Sequence, residues 1–314
     1  PIMADMGFTM SQTTWTFSLA ILMLGLSAGF LGSFAEKIGP KKSGLLSMLF
    51  WVAGLLGTAY ALSIHNLTLL YLFYGIIGGI GLGIGYITPV STLVKYFPNR
   101  PGFATGLAIM GFGFASLIAG PLMQFLVAQV GLVNNFIILG VIYLVVMGAS
   151  SLYLKAPQPK QPPRTTKDKS TMYVHNHGML ANDAMKTWQF GALWWIFFIN
   201  ITCGIGLLSL ASPMAQETIG MTPAAAASLV GIIGIFNGGG RIAWSTISDY
   251  FGRAQTYILF FIIQIIAFYV LAETNNALTF QVLILLIITC YGGGFACMPA
   301  YLADLYGIRQ LSTI

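Results

Sequence analysis

The sequence predicts an all-α integral membrane protein, on three observations. Of its 314 residues, 57% are hydrophobic and only 7% charged, whereas a soluble domain carries charge on roughly a quarter of its residues. The apolar residues fall in runs of about 20, the length at which a helix crosses a hydrocarbon core of ~30 Å. The runs do not alternate apolar with polar positions, as the strands of an outer-membrane barrel do.

Nine spans follow in chain order. The first, 13–34, ends in a basic loop with Lys37, Lys41 and Lys42, and the second, 44–63, ends at His65 and Asn66. The third, 68–94, contains the glycine run "YGIIGGIGLGIG" and stops before Lys95 and Arg100. The fourth and fifth, 103–129 and 134–154, are parted by a short polar loop around Asn134 and Asn135. The sixth, 190–216, ends at Glu217; the seventh, 224–248, opens on Thr222 as N-cap with Pro223 in the first turn and closes near Asp249. The eighth, 255–273, ends at Glu273, and the ninth, 277–303, runs to just before Arg309.

Between the fifth and sixth spans lies "KAPQPKQPPRTTKDKSTMYVHNHGMLANDAMK", rich in proline, lysine and polar residues. Such a segment cannot bury enough apolar surface to fold alone and reads as a linker. The expected organisation is therefore a membrane half at 1–154, a linker at 155–189 and a second membrane half at 190–314.

The basic residues orient these spans. Lys37, Lys41, Lys42, Lys95, Arg100, the linker cations, Arg253 and Arg309 all fall on one side. The opposite loops, around Asp5, His65, Asn134, Glu217 and Glu273, hold no lysine or arginine. By the positive-inside rule the basic side, with the linker, is cytoplasmic. The net charge of +6 then reflects orientation and calls for no nucleic acid partner. Arg241 is the cation this topology does not explain.

The chain repeats itself. "GSFAEKIGPKK" follows the first span and "STISDYFGR" the seventh, and one register places Glu36 on Asp249 and Gly39 on Gly252. A similar register places Pro89 on Pro299 and Tyr96 on Tyr306. Duplicated halves point to a transporter with its site at the repeat interface. The loop pattern resembles that of the major facilitator superfamily. The resemblance implies two six-helix halves related by a pseudo-twofold axis, here represented by about nine helices, the family's helices 2–10, without helices 1, 11 and 12. Glu36 stands where the pattern usually has Asp, and Pro40 and Ser245 replace a basic residue and a glycine. Within that superfamily, the stretches from Gly83 to Pro121 and from Tyr291 to Gly307 resemble helices 4–5 and 10 of the oxalate/formate antiporter family. Gly120-Pro121 resembles a helix 5 motif of many of the superfamily's antiporters.

Arg241 carries the chemistry. Eight residues separate it from Asp249, a rise of ~12 Å, so its side chain roots well inside the hydrocarbon. Gly234, Asn237, Arg241, Ser245 and Ser248 share one helix face, small or polar throughout, which is expected to line an aqueous cavity. A charge at the bilayer centre costs at least ~2.5 kcal/mol, and a carboxylate substrate would offset it in the bidentate geometry a guanidinium favours. Snorkelling to the headgroups, or a structural pair with an acid on another helix, are the alternatives. The family resemblance implies an anion held by an arginine in helix 8, which Arg241 matches, and by a lysine in helix 11.

Tyr86 and Tyr291 stand among glycines on transmembrane segments and would serve either as aromatic walls of the site or as core aromatics. Asn237, one turn from Arg241, either orients the guanidinium or bonds a neighbouring helix. The glycine repeat Gly75, Gly79, Gly83 reads as close helix packing, since a dinucleotide fingerprint needs a strand-turn-helix context. Glu36 and Asp249, with Arg100 and Arg309 as partners, are the family's expected cytoplasmic gate; solvated charges on a tight loop are the alternative. No cofactor or metal is expected: Cys203, Cys290 and Cys297 lack ligand spacing, and His175 and His177 have no companions.

These readings lead to a non-enzymatic secondary transporter that exchanges small carboxylates by alternating access, oxalate for formate or close relatives. A lactate or pyruvate transporter, proton-coupled or not, is the alternative. The expected setting is the lipid bilayer of a bacterial cytoplasmic membrane, as a monomer.

Overall fold

The structure, a computed structural model, describes residues 7–156, 179–307 and 311. The regular elements among them are all helical: α1 (Met10–Ile38), α2 (Pro40–Ser63), α3 (Leu67–Tyr96), α4 (101–130), α5 (132–153), the single turn α6 (Ala181–Ala184), α7 (Trp188–Glu217), α8 (Pro223–Phe251), α9 (Arg253–Glu273) and α10 (Ala277–Tyr306). Setting α6 aside, nine long rods lie on the nine expected spans. Among the described residues, seven stretches are long and apolar enough to cross a membrane, one of them Pro101–Tyr153, which holds both α4 and α5.

Helix ends follow from local chemistry. Thr9 opens α1 with a reciprocal pair: its hydroxyl accepts from the Gln12 amide (3.3 Å), and the Gln12 side chain accepts from the Thr9 amide (2.9 Å). Thr222 caps α8 through the Ala225 amide, with Pro223 in the first turn. Asn276 caps α10 by accepting from Leu278 and Thr279, both at 3.0 Å.

Three junctions turn the chain with one residue each. Gly39, Gly131 and Gly252 have φ of 82°, 81° and 98° with ψ of 162°, 172° and 148°, a region open essentially to glycine alone. Gly39 and Gly252 are the repeated glycines of the duplicated loop, so the repeat is a repeated backbone hinge. Gly131 corrects the expected loop at Asn134 and Asn135. The turn is complete before them, so Asn134 donates to the Val130 carbonyl (3.0 Å) and Asn135 is fully buried.

The chain forms two compact units. Of the described residues, 7–92 and 121–156 make up the first, and 93–120, 179–307 and 311 the second. Residues 93–120 thus group with the second unit although they precede the linker in sequence. In the first unit α1 lies along α3: a Cβ at Gly75, Gly79 or Gly83 would meet Leu19, Ala20 and Met23, or Ser27. The middle of α3, Tyr71–Gly78, is π-helical. Its core joins Leu55, Ala59 and Leu62 to Leu126, Phe136 and Leu139. The second unit's core joins Leu207 and Ala211 of α7, Leu229 and Ile233 of α8, and Ile284 and Ile288 of α10. In lipid, where tails are as apolar as leucine, close packing at small residues carries helix association.

Candidate functional site

Arg241 is 5% exposed. Its Nε donates to Asn237 Oδ1 at 3.3 Å, one turn earlier on α8, and its Nη1 points to the Ile109 carbonyl of α4 at 3.4 Å. The guanidinium carbon lies 5.2 Å from the centroid of the Phe295 ring on α10, a cation–π arrangement. Phe295 is fixed edge-on by Tyr291 (5.4 Å) and by Phe197 of α7 (5.1 Å). Three elements therefore orient one arginine: its own helix through Asn237, α4 through a carbonyl, and α10 through an aromatic face.

Glycine makes these approaches possible. A Cβ at Gly113 would strike the backbone of Gly238, and one at Gly106 would strike Ser245. On α10 the run Gly292–Gly293–Gly294 meets a different neighbour at each position. Gly292 lies against Asn237 and Arg241, Gly293 against Trp244 and Phe260, and Gly294 against Asn200. The polar face of α8 is consequently packed shut rather than lining an aqueous cavity as expected. Ser245 and Ser248 are buried and bond back to carbonyls of their own helix, Arg241 at 2.5 Å and Ser245 at 2.7 Å.

At the end of α8 a second polar cluster forms. The Asp249 carboxylate, 5% exposed, accepts from the backbone amides of Gly102 and Phe103, both at 2.9 Å, and from Arg253 at 2.5 Å. Helix α4 starts at Pro101, which has no N–H, after Arg100, whose side chain has no acceptor. Asp249 thus supplies from α8 the cap that the local sequence of α4 lacks. Arg253 also bonds Asp304 at 2.8 Å, Ser248, and the Ser245 carbonyl at 3.5 Å.

Of the residues singled out from the sequence, Arg241, Asn237 and Tyr291 meet in the second unit. Tyr86, on α3, and Glu36, at the end of α1, are both half-buried in the first. Arg100 is exposed and lies over the Tyr250 ring at 5.9 Å, while Asp249 is met by Arg253. Arg309 lies outside the described residues. Sequence reasoning missed Phe295, Asp304 and the role of Arg253. Arg253 and Asp304 sit in the motifs already quoted, so a search for a partner to each acid would have found them.

The sequence profile of the Major Facilitator Superfamily matches residues 1–313. An uncharacterised transporter of that superfamily from Escherichia coli, YhjX, is 29% identical over 98% of this chain and 75% of its own length. The oxalate:formate antiporter of Oxalobacter formigenes is 24% identical over 98% of this chain and 71% of its own. The crystal structure of the E. coli fucose:proton symporter FucP superposes with a TM-score of 0.72 at 14% identity, covering 99% of this chain and 81% of that one. The chain is thus an integral membrane transporter rather than an enzyme, and it belongs to the Major Facilitator Superfamily.

Proposed function

We propose that this chain serves a secondary transporter that exchanges small carboxylates, oxalate for formate or close relatives, across a bacterial cytoplasmic membrane. One observation carries the reading: a guanidinium buried mid-helix, oriented by Asn237 and by the face of Phe295. A guanidinium presents a planar fork of donors that matches a carboxylate bidentately. Tyr291, edge-on to the same ring, adds an aromatic wall, and Tyr86 is proposed as its counterpart from the other half. Occupancy by an anion would neutralise Arg241 and ease the switch of access from one side to the other. In this reading the loaded site switches access more readily than the empty one, which makes exchange obligatory. Glu36, Asp249, Arg100 and Arg309 are proposed to close the cytoplasmic side, with 155–189 as the cytoplasmic linker.

The test is counterflow of labelled oxalate into proteoliposomes holding the full-length gene product. Arg241→Gln is expected to lower exchange at least ~100-fold, the scale of losing one partner of a buried charged pair. Arg241→Lys, which keeps the charge but not the fork, should fall between. Undiminished exchange in Arg241→Gln would sink the assignment. Exchange of lactate or pyruvate in place of oxalate would move the substrate to the monocarboxylates.

A further inference from the structure

Helix α10 interrupts its own hydrogen-bond ladder at the residue that faces Arg241. Pro299 has no N–H, so the carbonyl four residues earlier, that of Phe295, receives no bond from the helix. A proline inside a helix ordinarily kinks it. Bending at this level would swing the Phe295 ring away from the guanidinium, which it meets at 5.2 Å.

The carbonyls on either side of that gap are both taken by hydroxyls from other helices. Tyr257 of α9 donates to the Gly294 carbonyl at 2.6 Å, and Thr105 of α4 donates to the Ala296 carbonyl at 2.5 Å. Residues two apart on a helix lie about 200° apart around its axis, so the two bonds come from nearly opposite sides. Both side chains are buried, Thr105 fully. A threonine in a helix can satisfy itself on its own backbone. Thr105 does reach the Gly102 carbonyl at 2.9 Å, yet its shorter contact is the one to α10. Four residues on, and so on the same face of α4, lies Ile109, whose carbonyl Arg241 meets at 3.4 Å. One face of α4 therefore holds both members of the cation–π pair. It reaches the arginine through Ile109 and the helix that carries the ring through Thr105.

We propose that Thr105 and Tyr257 are positioning residues for the anion site. Their hydroxyls clamp α10 across the gap left by Pro299 and so keep the Phe295 ring over Arg241. Each acts on the substrate only through Phe295. The role rests on the carboxylate reading of Arg241 and adds to it the residues that fix the arginine's aromatic partner.

The experiment is a double-mutant cycle in proteoliposomes of the full-length protein, with labelled oxalate as the probe. Thr105→Val removes one hydroxyl at nearly unchanged volume, and Tyr257→Phe removes the other. Each is expected to raise half-saturation about fivefold, the scale of a cation–π contact, with the maximal rate within about twofold of wild type. Thr105→Ser, which keeps the hydroxyl, should stay within about twofold on both measures. In a Phe295→Leu background the same two substitutions should add less than about twofold, because the ring they position is gone. An equal rise in both backgrounds marks a general loosening of the fold and overturns the proposal, as does no rise in either variant. Where one variant loses its monodisperse peak in detergent, the cycle of the other decides. An additive cycle with exchange abolished in Arg241→Gln overturns the clamp alone. Undiminished exchange in Arg241→Gln overturns the carboxylate reading and the clamp's role with it.

Discussion

Asp249→Asn should release the amino end of α4. The first amides of a helix have no partner within it, and in α4 those are Gly102 and Phe103, because Pro101 has no N–H and Ala104 already bonds the Arg100 carbonyl at 3.1 Å. Asp249 holds both at 2.9 Å. Asparagine keeps one oxygen, but it loses the charge and turns an NH2 donor towards another donor. One charge-assisted bond in a buried setting is worth about 1.5–3 kcal/mol. The penalty of about 3–5 kcal/mol for an orphaned buried charge is not reached, since Arg253 retains Asp304 at 2.8 Å. The expected loss is therefore about 2–3 kcal/mol, which makes amide exchange at 102 and 103 roughly 30- to 150-fold faster. Hydrogen–deuterium exchange read by mass spectrometry on a peptide covering these residues measures it. Asp304→Asn, at a carboxylate 45% exposed, should cost less than about 1 kcal/mol and leave both amides protected. Unchanged exchange in Asp249→Asn would show that the carboxylate is not their cap.

Gly131→Ala tests the one-residue hinge. A Cβ there meets nothing within 4 Å, so the loss of about 1–3 kcal/mol comes from the backbone conformation alone. It would appear as a lower melting temperature in detergent, with Gly25→Ala in helical α1 as a neutral control; equal melts would refute the strain. Gly113→Leu should separate α4 from α8, since its side chain would begin against the Gly238 backbone. Loss of the monodisperse peak in size-exclusion chromatography is expected, and Gly111→Leu, in open space, should retain it.

Much of the architecture was legible because lipid imposes simple rules on sequence. Spans must be apolar and about 20 residues long, and cations mark the cytoplasmic side. The duplicated loops were legible through glycines that only one backbone region explains. Arg241 stood out by the same logic, and Asn237 lies where helical periodicity placed it, one turn away. The rest depended on pairings that side-chain identity does not encode. Asp249 binds two backbone amides, which leave no trace in the sequence at Gly102 and Phe103. Residues 93–120 join the second unit because their glycines fit α8, a match visible only once the two helices lie together. Asn134 and Asn135 read as a loop because polar pairs usually are one, yet Gly131 had already made the turn. Asn200 looked like any residue of an apolar run until its amide proved to face a glycine.

The run Gly292–Gly293–Gly294 gives α10 three adjacent addresses, each belonging to a different correspondent: the arginine helix, the Trp244–Phe260 pair, and Asn200. Successive residues on a helix point about 100° apart, so one turn of one rod suffices to serve three directions without lengthening the contact. Coupling among those neighbours is thereby concentrated at a single level of the bilayer. Because one rod carries all three, a side chain added at any one of the glycines would shift the helix against the other two neighbours as well.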